Sequence, residues 1–270
     1  MRIALGQLDC RVGDRISNEE RLVGAIAEAR NAGADLLVVP ELQLSGYGFA
    51  AAEETSCTVA ELAGVLAGSR LATLVGFHER AGEESHNSAG YFEDGTAVHV
   101  HRKLYLCDYA PFDEDVRFIP GHGMRAFDTA FGRMATLICN DAWQPFLPSL
   151  AVHDGAEVLL IPAASSTAVP EAEAYWNGLT RFYARMLGCY VVFVNRVGRE
   201  DGGLTFWGGS HVVDPRGDVV AQSPRLEESL VLAEIDLERV AERRRELPLA
   251  GLRPEVLRNE LERLGTAGVR

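Results

Sequence analysis

The stretch that decides the fold is Met134-Ala135-Thr136-Leu137-Ile138-Cys139-Asn140-Asp141-Ala142-Trp143-Gln144-Pro145. Its first half is an apolar run typical of a buried strand. A helix is predicted to begin near Pro145, because proline is favoured in a first helical turn. A strand followed closely by a helix is the building unit of α/β proteins. Cys139 is therefore predicted to stand at a sharp strand-to-helix turn.

The rest of the chain alternates in the same way between short apolar runs and helical stretches. Strands are predicted at 2–8, 36–39, 71–77, 88–93, 97–102, 133–139, 157–161, 190–195, 210–214, 218–222 and 230–235, and helices at 18–32, 59–67, 146–153, 175–186 and 237–245. Asp94-Gly95 and Pro215-Arg216-Gly217 predict hairpins. Crossover helices together with hairpins favour mixed sheets over a purely parallel one. No linker or repeat is visible, so we predict a single α/β domain over residues 1–270, with 236–270 a helical C-terminal tail.

The composition limits the class of protein. Of 270 residues, 39 are acidic and 26 are basic, which gives a net charge of −13, and 47% are hydrophobic, enough for a sizeable core. An acidic chain is a poor partner for a nucleic-acid backbone or an anionic membrane surface. No apolar run approaches the ~18 residues of a membrane span, and residues 1–8 lack the features of a signal peptide. We expect a cytoplasmic protein with neither a nucleic-acid nor a membrane partner.

Cys139 is the cysteine whose surroundings set it apart. A thiol at a helix start lies near backbone N–H groups and the positive end of the helix dipole, which favours the thiolate. The backbone N–H of Asn140 is placed to donate to an oxyanion, as in a nucleophile elbow. In isolation, a buried structural cysteine is the more common explanation. The other cysteines, Cys10, Cys57, Cys107 and Cys189, lack such a setting.

Charged residues stand at three further places where simple packing does not require them. Glu41 directly follows the strand 36–39, where an apolar environment would raise the pKa of its carboxyl and suit it to general-base catalysis. A solvated or ion-paired glutamate is the alternative. Lys103 ends the second hairpin strand, although a solvent-facing lysine on an edge strand is the commoner case. The acidic run 113–115 lies in a loop of ~16 residues, a length that is often functional.

His99 and His101 share one face of the predicted strand 97–102 and together suggest a metal site. No third ligand has a suitable spacing. We therefore predict no metal.

A strand-end glutamate, a strand-end lysine and an elbow cysteine follow one another along the chain, and in this order the sequence resembles the nitrilase superfamily of carbon–nitrogen hydrolases. The segments that carry the resemblance are Pro40-Glu41 through Ser45-Gly46-Tyr47, His101-Arg102-Lys103-Leu104-Tyr105-Leu106, Phe112-Asp113-Glu114 with Phe118-Ile119-Pro120-Gly121, and Ile138-Cys139-Asn140-Asp141-Ala142-Trp143. Further likeness lies in residues 195–198 and 206–210. The resemblance thus covers nearly the whole chain.

The resemblance implies a role for each of the charged residues. Cys139 is expected to be the nucleophile, Glu41 the general base and then acid, and Lys103 the stabiliser of the oxyanion. Glu114 is expected to be a second carboxylate that positions the substrate. The implied reaction passes through a thioester and uses neither a metal nor an organic cofactor. The residues expected to contact the substrate are Tyr47, Asn140, Trp143 and Arg181.

The resemblance also implies a fold and an assembly. The family fold is an α-β-β-α sandwich, which agrees with the mixed sheets predicted above. Two subunits usually pair through their helix faces, so we expect a homodimer or a larger homo-oligomer.

The residues after the nucleophile separate the branches of this family. Nitrilases typically have Cys-Trp-Glu, whereas this chain has Cys-Asn-Asp, so an amide or N-carbamoyl substrate is favoured over a nitrile. Carbamoylases with a similar segment continue with arginines that hold a substrate carboxylate, where this chain has Ala142 and Trp143. Arg181 or Arg196 is the alternative source of that charge.

Several other functions remain as alternatives. They are a nitrilase, an acyltransferase with an amine acceptor, and a catalytically silent binding member of the fold. The glutaminase part of glutamine-dependent NAD synthetases has a similar nucleophile segment. We expect this chain not to be one, because its 270 residues contain no synthetase region.

Overall fold

The computed structural model describes residues 1–48, 52–200, 203–248, 251 and 253–267. In chain order, the helices and strands are β1 (Arg2–Gln7), α1 (Arg15–Asn31), β2 (Leu36–Val38), α2 (Ala52–Thr55), α3 (Val59–Leu66), β3 (Ala72–Ala81), β4 (Glu84–Glu93), β5 (Thr96–Arg102), β6 (Ala126–Thr129), β7 (Gly132–Thr136), α4 (Phe146–His153), β8 (Val158–Ala163), α5 (Ala172–Leu187), β9 (Tyr190–Asn195), β10 (Val197–Arg199), β11 (Thr205–Trp207), β12 (His211–Val213), β13 (Val219–Gln222), β14 (Ser229–Glu234), α6 (Glu238–Glu246) and α7 (Pro254–Ala267). Short 3₁₀ helices span Glu114–Val116 and Cys139–Trp143.

The strands form two six-stranded sheets and a two-stranded ribbon. The first sheet has the order β14-β1-β2-β3-β4-β5, in which β1, β2 and β3 are parallel and the outer pairs are antiparallel. The second has the order β13-β12-β9-β8-β7-β6, with β7, β8 and β9 parallel. Strands β10 and β11 form the ribbon. The prediction of mixed sheets is confirmed.

The two sheets pack face to face, and helices cover their outer faces. Alternation along β1 places Ile3 and Leu5 in a core between the sheets, together with Val158 and Leu160 of β8. Ala4 points the other way, into a core that the first sheet shares with α1 and α3. A third core lies between the second sheet and helices α4 and α5. This is the α-β-β-α sandwich that the resemblance implied.

The strand that leads to Cys139 is shorter than predicted. Strand β7 ends at Thr136, and a 3₁₀ helix precedes α4, which begins at Phe146. The carboxylate of Asp141 accepts a hydrogen bond from the backbone N–H of Ile138 at 3.0 Å. A side chain that bonds the nearby backbone in this way competes with strand pairing, which ends the strand before the cysteine.

Three short strands were not predicted. Strand β6 has four residues, and β10 and β11 have three each. Segments of this length contain too few residues for alternation to be visible in a sequence.

Among the described residues, two helices follow β14. Helix α6 follows the last strand, and α7 follows α6. Residues 249, 250, 252 and 268–270 of the predicted tail lie outside the described residues. In the part of the chain that the structure describes, no helix has both the length and the apolar character needed to cross a bilayer.

Candidate active site

Three side chains with ionisable or nucleophilic groups lie just beyond the ends of strands. Glu41 follows β2, Lys103 follows β5 and Cys139 follows β7. The carboxyl ends of parallel strands are where α/β proteins gather their ligands. Gly76 of β3 allows the Glu41 segment to approach, because a Cβ at residue 76 would lie 2.3 Å from the carbonyl oxygen of Pro40 and 2.7 Å from the Cα of Glu41.

Lys103 bridges two buried carboxylates. Its Nζ donates to Oε1 of Glu41 at 2.7 Å and to Oε1 of Glu114 at 2.8 Å, and none of the three side chains is exposed to solvent. Burial by itself lowers the pKa of the Lys103 ammonium, but the two carboxylates outweigh it and leave this pKa well above its ordinary value. The lysine is therefore a fixed positive charge at the centre of the cluster.

Glu41 is held at both of its oxygens. Oε1 accepts from Lys103 and from Nδ2 of Asn87 at 2.8 Å, and Oε2 accepts from the backbone N–H of Ala164 at 2.8 Å. Burial raises the pKa of this carboxyl, the charge of Lys103 opposes the rise, and the charge of Glu114 adds to it. The direction predicted from the apolar strand before Glu41 is confirmed, and a carboxylate of raised pKa is suited to accept a proton.

Glu114 is the more heavily bonded carboxylate. Its Oε1 accepts from Lys103, from Asn87 at 3.2 Å and from the hydroxyl of Tyr47, and its Oε2 accepts from the backbone N–H of Cys107 at 2.7 Å. The side chains on either side, Asp113 and Asp115, are exposed. Glu114 is thus the one carboxylate of the run 113–115 that turns inward to Lys103.

Cys139 occupies a strained turn. The φ of Cys139 is +43°, a left-handed conformation that non-glycine residues rarely adopt. Cys139 as a whole is half-buried. Burial raises the pKa of its thiol well above the ordinary value, and the charge of Glu41 adds to the rise, whereas Lys103 opposes it. The expectation that a helix start favours the thiolate is wrong here, because burial and negative charge outweigh the dipole of one short 3₁₀ turn.

Asp141 ties the lysine segment to the cysteine turn. Its Oδ1 accepts from the backbone N–H groups of Leu104 and Tyr105, both at 2.9 Å, and its Oδ2 lies 2.9 Å from Nε2 of His101. The sequence showed this aspartate only as part of a motif, since these three partners lie 36 to 40 residues away in the chain. His101 is thereby occupied by Asp141, and His99 stacks on a phenylalanine ring.

A cavity opens onto the thiol of Cys139. Its volume is about 60 Å³, and its lining residues are Tyr47, Cys107, Tyr109, Phe112, Cys139, Asn140, Trp143, Ala164, Ser165, Ser166, Val169 and Trp176. Aromatic rings form much of its wall. The cavity gives a small molecule access to the thiol of Cys139.

The structure brings together three of the residues expected to contact a substrate. Tyr47, Asn140 and Trp143 line the cavity, whereas Arg181 lies on the exposed face of α5 and donates to a backbone carbonyl at 3.0 Å. Arg196, the other arginine considered, is buried and paired with acidic side chains outside the cavity lining.

Sequence reasoning missed two members of the site. Cys107 lines the cavity with its Sγ 3.9 Å from Nζ of Lys103, although its sequence context marked it as structural. Asn87 donates to both carboxylates from the middle of β4. The one signal that could have drawn attention to Asn87 is that it is a polar residue in an otherwise buried strand.

This combination of a four-layer sandwich and a buried glutamate–lysine–cysteine cluster defines a class of hydrolase. The family model described as carbon-nitrogen hydrolase matches residues 2–245. The chain therefore belongs to the carbon–nitrogen hydrolase family, within the nitrilase superfamily.

Relatives of this chain have different substrates. It is 30% identical over 248 residues to a glutamine-dependent NAD(+) synthetase of Acinetobacter baylyi, which covers 88% of this chain but only 44% of that protein. The chain thus spans less than half the length of that relative. It is 26% identical to the N-carbamoylputrescine amidase of Arabidopsis thaliana, over 86% of this chain and 85% of the other. The crystal structure of a carbon-nitrogen hydrolase from Helicobacter pylori G27 superposes with a TM-score of 0.86 at 27% identity, over 97% of this chain and 98% of that one.

Proposed function

We propose that the protein is a thiol amidase, which hydrolyses the carbon–nitrogen bond of a small linear amide or N-carbamoyl compound and releases ammonia. The observation that carries the proposal is the bridge from Lys103 to Glu41 and Glu114, next to a cavity that contains the thiol of Cys139. Two relatives, a glutamine-dependent NAD(+) synthetase and an N-carbamoylputrescine amidase, support an amide or N-carbamoyl substrate.

In the proposed mechanism, Glu41 accepts the thiol proton while Cys139 attacks the carbonyl carbon. The pKa values of the Glu41 carboxyl and the Cys139 thiol are both raised, so the thiol keeps its proton until the carbon–sulfur bond forms. Lys103 stabilises the oxyanion, and the backbone N–H of Asn140 is the second candidate donor. Glu41 then gives its proton to the departing ammonia and afterwards activates the water that hydrolyses the thioester.

The experiment is ammonia release from a panel of amides, N-carbamoyl compounds and nitriles, with Cys139→Ala as the matched control. We expect the wild-type protein to release ammonia from an amide or an N-carbamoyl compound, and the variant to be inactive. Intact-protein mass spectrometry should detect the acyl adduct on Cys139. Activity confined to nitriles would indicate a nitrilase, and no activity with any compound would indicate a catalytically silent member of the fold.

We also propose that the protein forms a homodimer or a larger homo-oligomer through helix α5. One face of this helix exposes Tyr175, Phe182 and Met186, with 56%, 55% and 41% of each residue accessible. Their spacing of seven and four residues places them in one apolar stripe, and such stripes commonly mark contacts between proteins. Light scattering after size-exclusion chromatography tests this, and a monomeric mass for the wild-type protein at micromolar concentration would contradict it.

A further inference from the structure

We propose that the acyl group of the substrate is short and uncharged, so that simple aliphatic amides and alkylureas are accepted while substrates with a carboxylate or an ammonium group are excluded. This inference rests on the proposed function, because it specifies the substrate of the same site. It concerns the walls of the cavity rather than the reacting groups.

The size of the cavity limits the acyl group. A volume of about 60 Å³ lies far below the roughly 300–1,000 Å³ of sites that take drug-sized ligands, so a short acyl group fits better than an extended one. Trp143 and Trp176 meet edge to face at 5.7 Å, and Trp143 also contacts the ring of Tyr175 at 5.5 Å. Trp176 is fixed by a hydrogen bond from its Nε1 to Ser165 at 3.0 Å. The tryptophan wall is therefore braced from several sides and does not open readily for a long chain.

Four polar groups on the wall already have partners within the protein. The hydroxyl of Tyr47 donates to Glu114, and the amide nitrogen of Asn140 donates to a backbone carbonyl at 3.1 Å. Oγ of Ser165 accepts from two indole N–H groups, and Oγ of Ser166 accepts from a backbone N–H at 3.0 Å. A charged substrate group in this cavity would lose its water without gaining equivalent bonds, which is costly.

The charged groups beside the cavity also form ion pairs with one another. Lys103 contacts Glu41 and Glu114, so its positive charge is more than balanced locally. A substrate carboxylate would meet two negative side chains and one cation that is already paired. A substrate ammonium would have to compete with Lys103 for carboxylate oxygens that accept bonds from other donors as well.

The first test compares amides of matched shape. Butyramide and 3-aminopropanamide have chains of equal length and differ by one positive charge, and isovaleramide and malonamate differ by one negative charge. We expect kcat/KM for each neutral compound to exceed that of its charged counterpart at least about 100-fold. Equal or higher kcat/KM for malonamate, 3-aminopropanamide or glutamine would overturn this inference and leave the proposed function standing. No ammonia from any amide, urea or nitrile would overturn both.

The second test does not depend on turnover. Iodoacetamide and iodoacetate have nearly the same size, and only the second is charged. We expect the ratio of their alkylation rates at Cys139, measured by peptide mapping, to exceed the ratio for a small free thiol at least about 10-fold. A ratio at or below that of the free thiol would overturn the inference even if neutral amides prove to be substrates.

Variants at Trp143 test whether the cavity wall sets the preference for neutral compounds. Trp143→Arg introduces a cation into the lining and should raise the iodoacetate rate and the relative kcat/KM of malonamate at least about 10-fold. Trp143→Phe keeps the wall apolar and should retain the preference for neutral compounds. Val23→Arg adds the same charge on an exposed face of α1 and should leave both ratios unchanged. An equal shift in Val23→Arg would mean that net charge, and not the wall, sets the selectivity.

Discussion

Replacing Lys103 with methionine tests the central feature of the site. The substitution keeps the length and apolar stem of the side chain but removes the ammonium that joins Glu41 to Glu114. Both carboxylates then remain buried, and within the described residues Asn87 is the side-chain donor that they still share. One of them is expected to take up a proton, because two adjacent buried carboxylates cannot both stay ionised.

The size of the effect follows from the burial of the cluster. Removing one partner of a buried ion pair typically costs about 3–5 kcal/mol of stability, and here the removed group serves two carboxylates. Loss of one oxyanion donor typically lowers the rate ~10²–10³-fold. Lys103→Met also shifts the proton affinity of Glu41, so the loss of ammonia release should be at least of that order.

The assay combines denaturant unfolding with ammonia release. Arg80→Met is the matched control, because both partners of the Arg80–Glu61 ion pair are exposed. That variant should lose little stability, since exposed ion pairs contribute little, and should remain active. In a double variant, Glu114→Gln should recover part of the stability lost in Lys103→Met without restoring activity. If Lys103→Met retains activity within a few-fold of wild type, the lysine is only structural and the reasoning fails.

The other predictions concern the two carboxylates, one glycine and the pH profile. Glu41→Gln should abolish both formation and hydrolysis of the thioester, because each step needs a proton carried, and rapid-mixing mass spectrometry should detect no adduct. In the same assay Glu114→Gln should chiefly slow acylation, whereas Asp115→Asn, at an exposed neighbour, should resemble wild type; the reverse order would refute the assignment of the inward carboxylate. Gly76→Ala should lower kcat about 100-fold by pushing the Glu41 backbone out of place, while Gly64→Ala, whose new methyl group meets no neighbour, should not change ammonia release. Since Glu41 acts as a base only when ionised and burial raises its pKa above the ordinary 4.5, kcat/KM should decline on the acid side at a pH above 4.5, and an acid limb at or below that value would contradict this role.

Local patterns predicted the parts of the site that depend on strand ends. The apolar run before Glu41 indicated both the end of a buried strand and the direction of the pKa shift at that carboxyl. The resemblance singled out Glu114 from the acidic run 113–115, and this is the side chain that the structure buries between two exposed aspartates. In each case the information lies within a few residues of the side chain itself.

The parts of the site that the sequence did not predict depend on contacts between segments that are distant in the chain. Asn87 lies 46 residues from Glu41, and Asp141 lies 40 residues from His101, so no local pattern relates them. The predicted direction of the pKa shift at Cys139 was wrong for a similar reason. A helix start is visible in the sequence, but the burial of the thiol and the charges around it arise only when the two sheets come together.

The charges of the cluster explain why a raised thiol pKa is compatible with catalysis in the proposed mechanism. With Cys139 as a thiol, the two carboxylates and Lys103 sum to one negative charge in a buried site. A free thiolate would add a second negative charge there, which burial makes costly. If Glu41 accepts the proton as the carbon–sulfur bond forms, the negative charge moves to the substrate oxygen, where Lys103 and the N–H of Asn140 are available. The total charge of the site then stays constant from thiol to tetrahedral intermediate and, once ammonia leaves with the proton, to thioester. In the proposed mechanism, the raised pKa of Cys139 therefore keeps the thiol protonated until a carbonyl group is in the cavity to receive the charge.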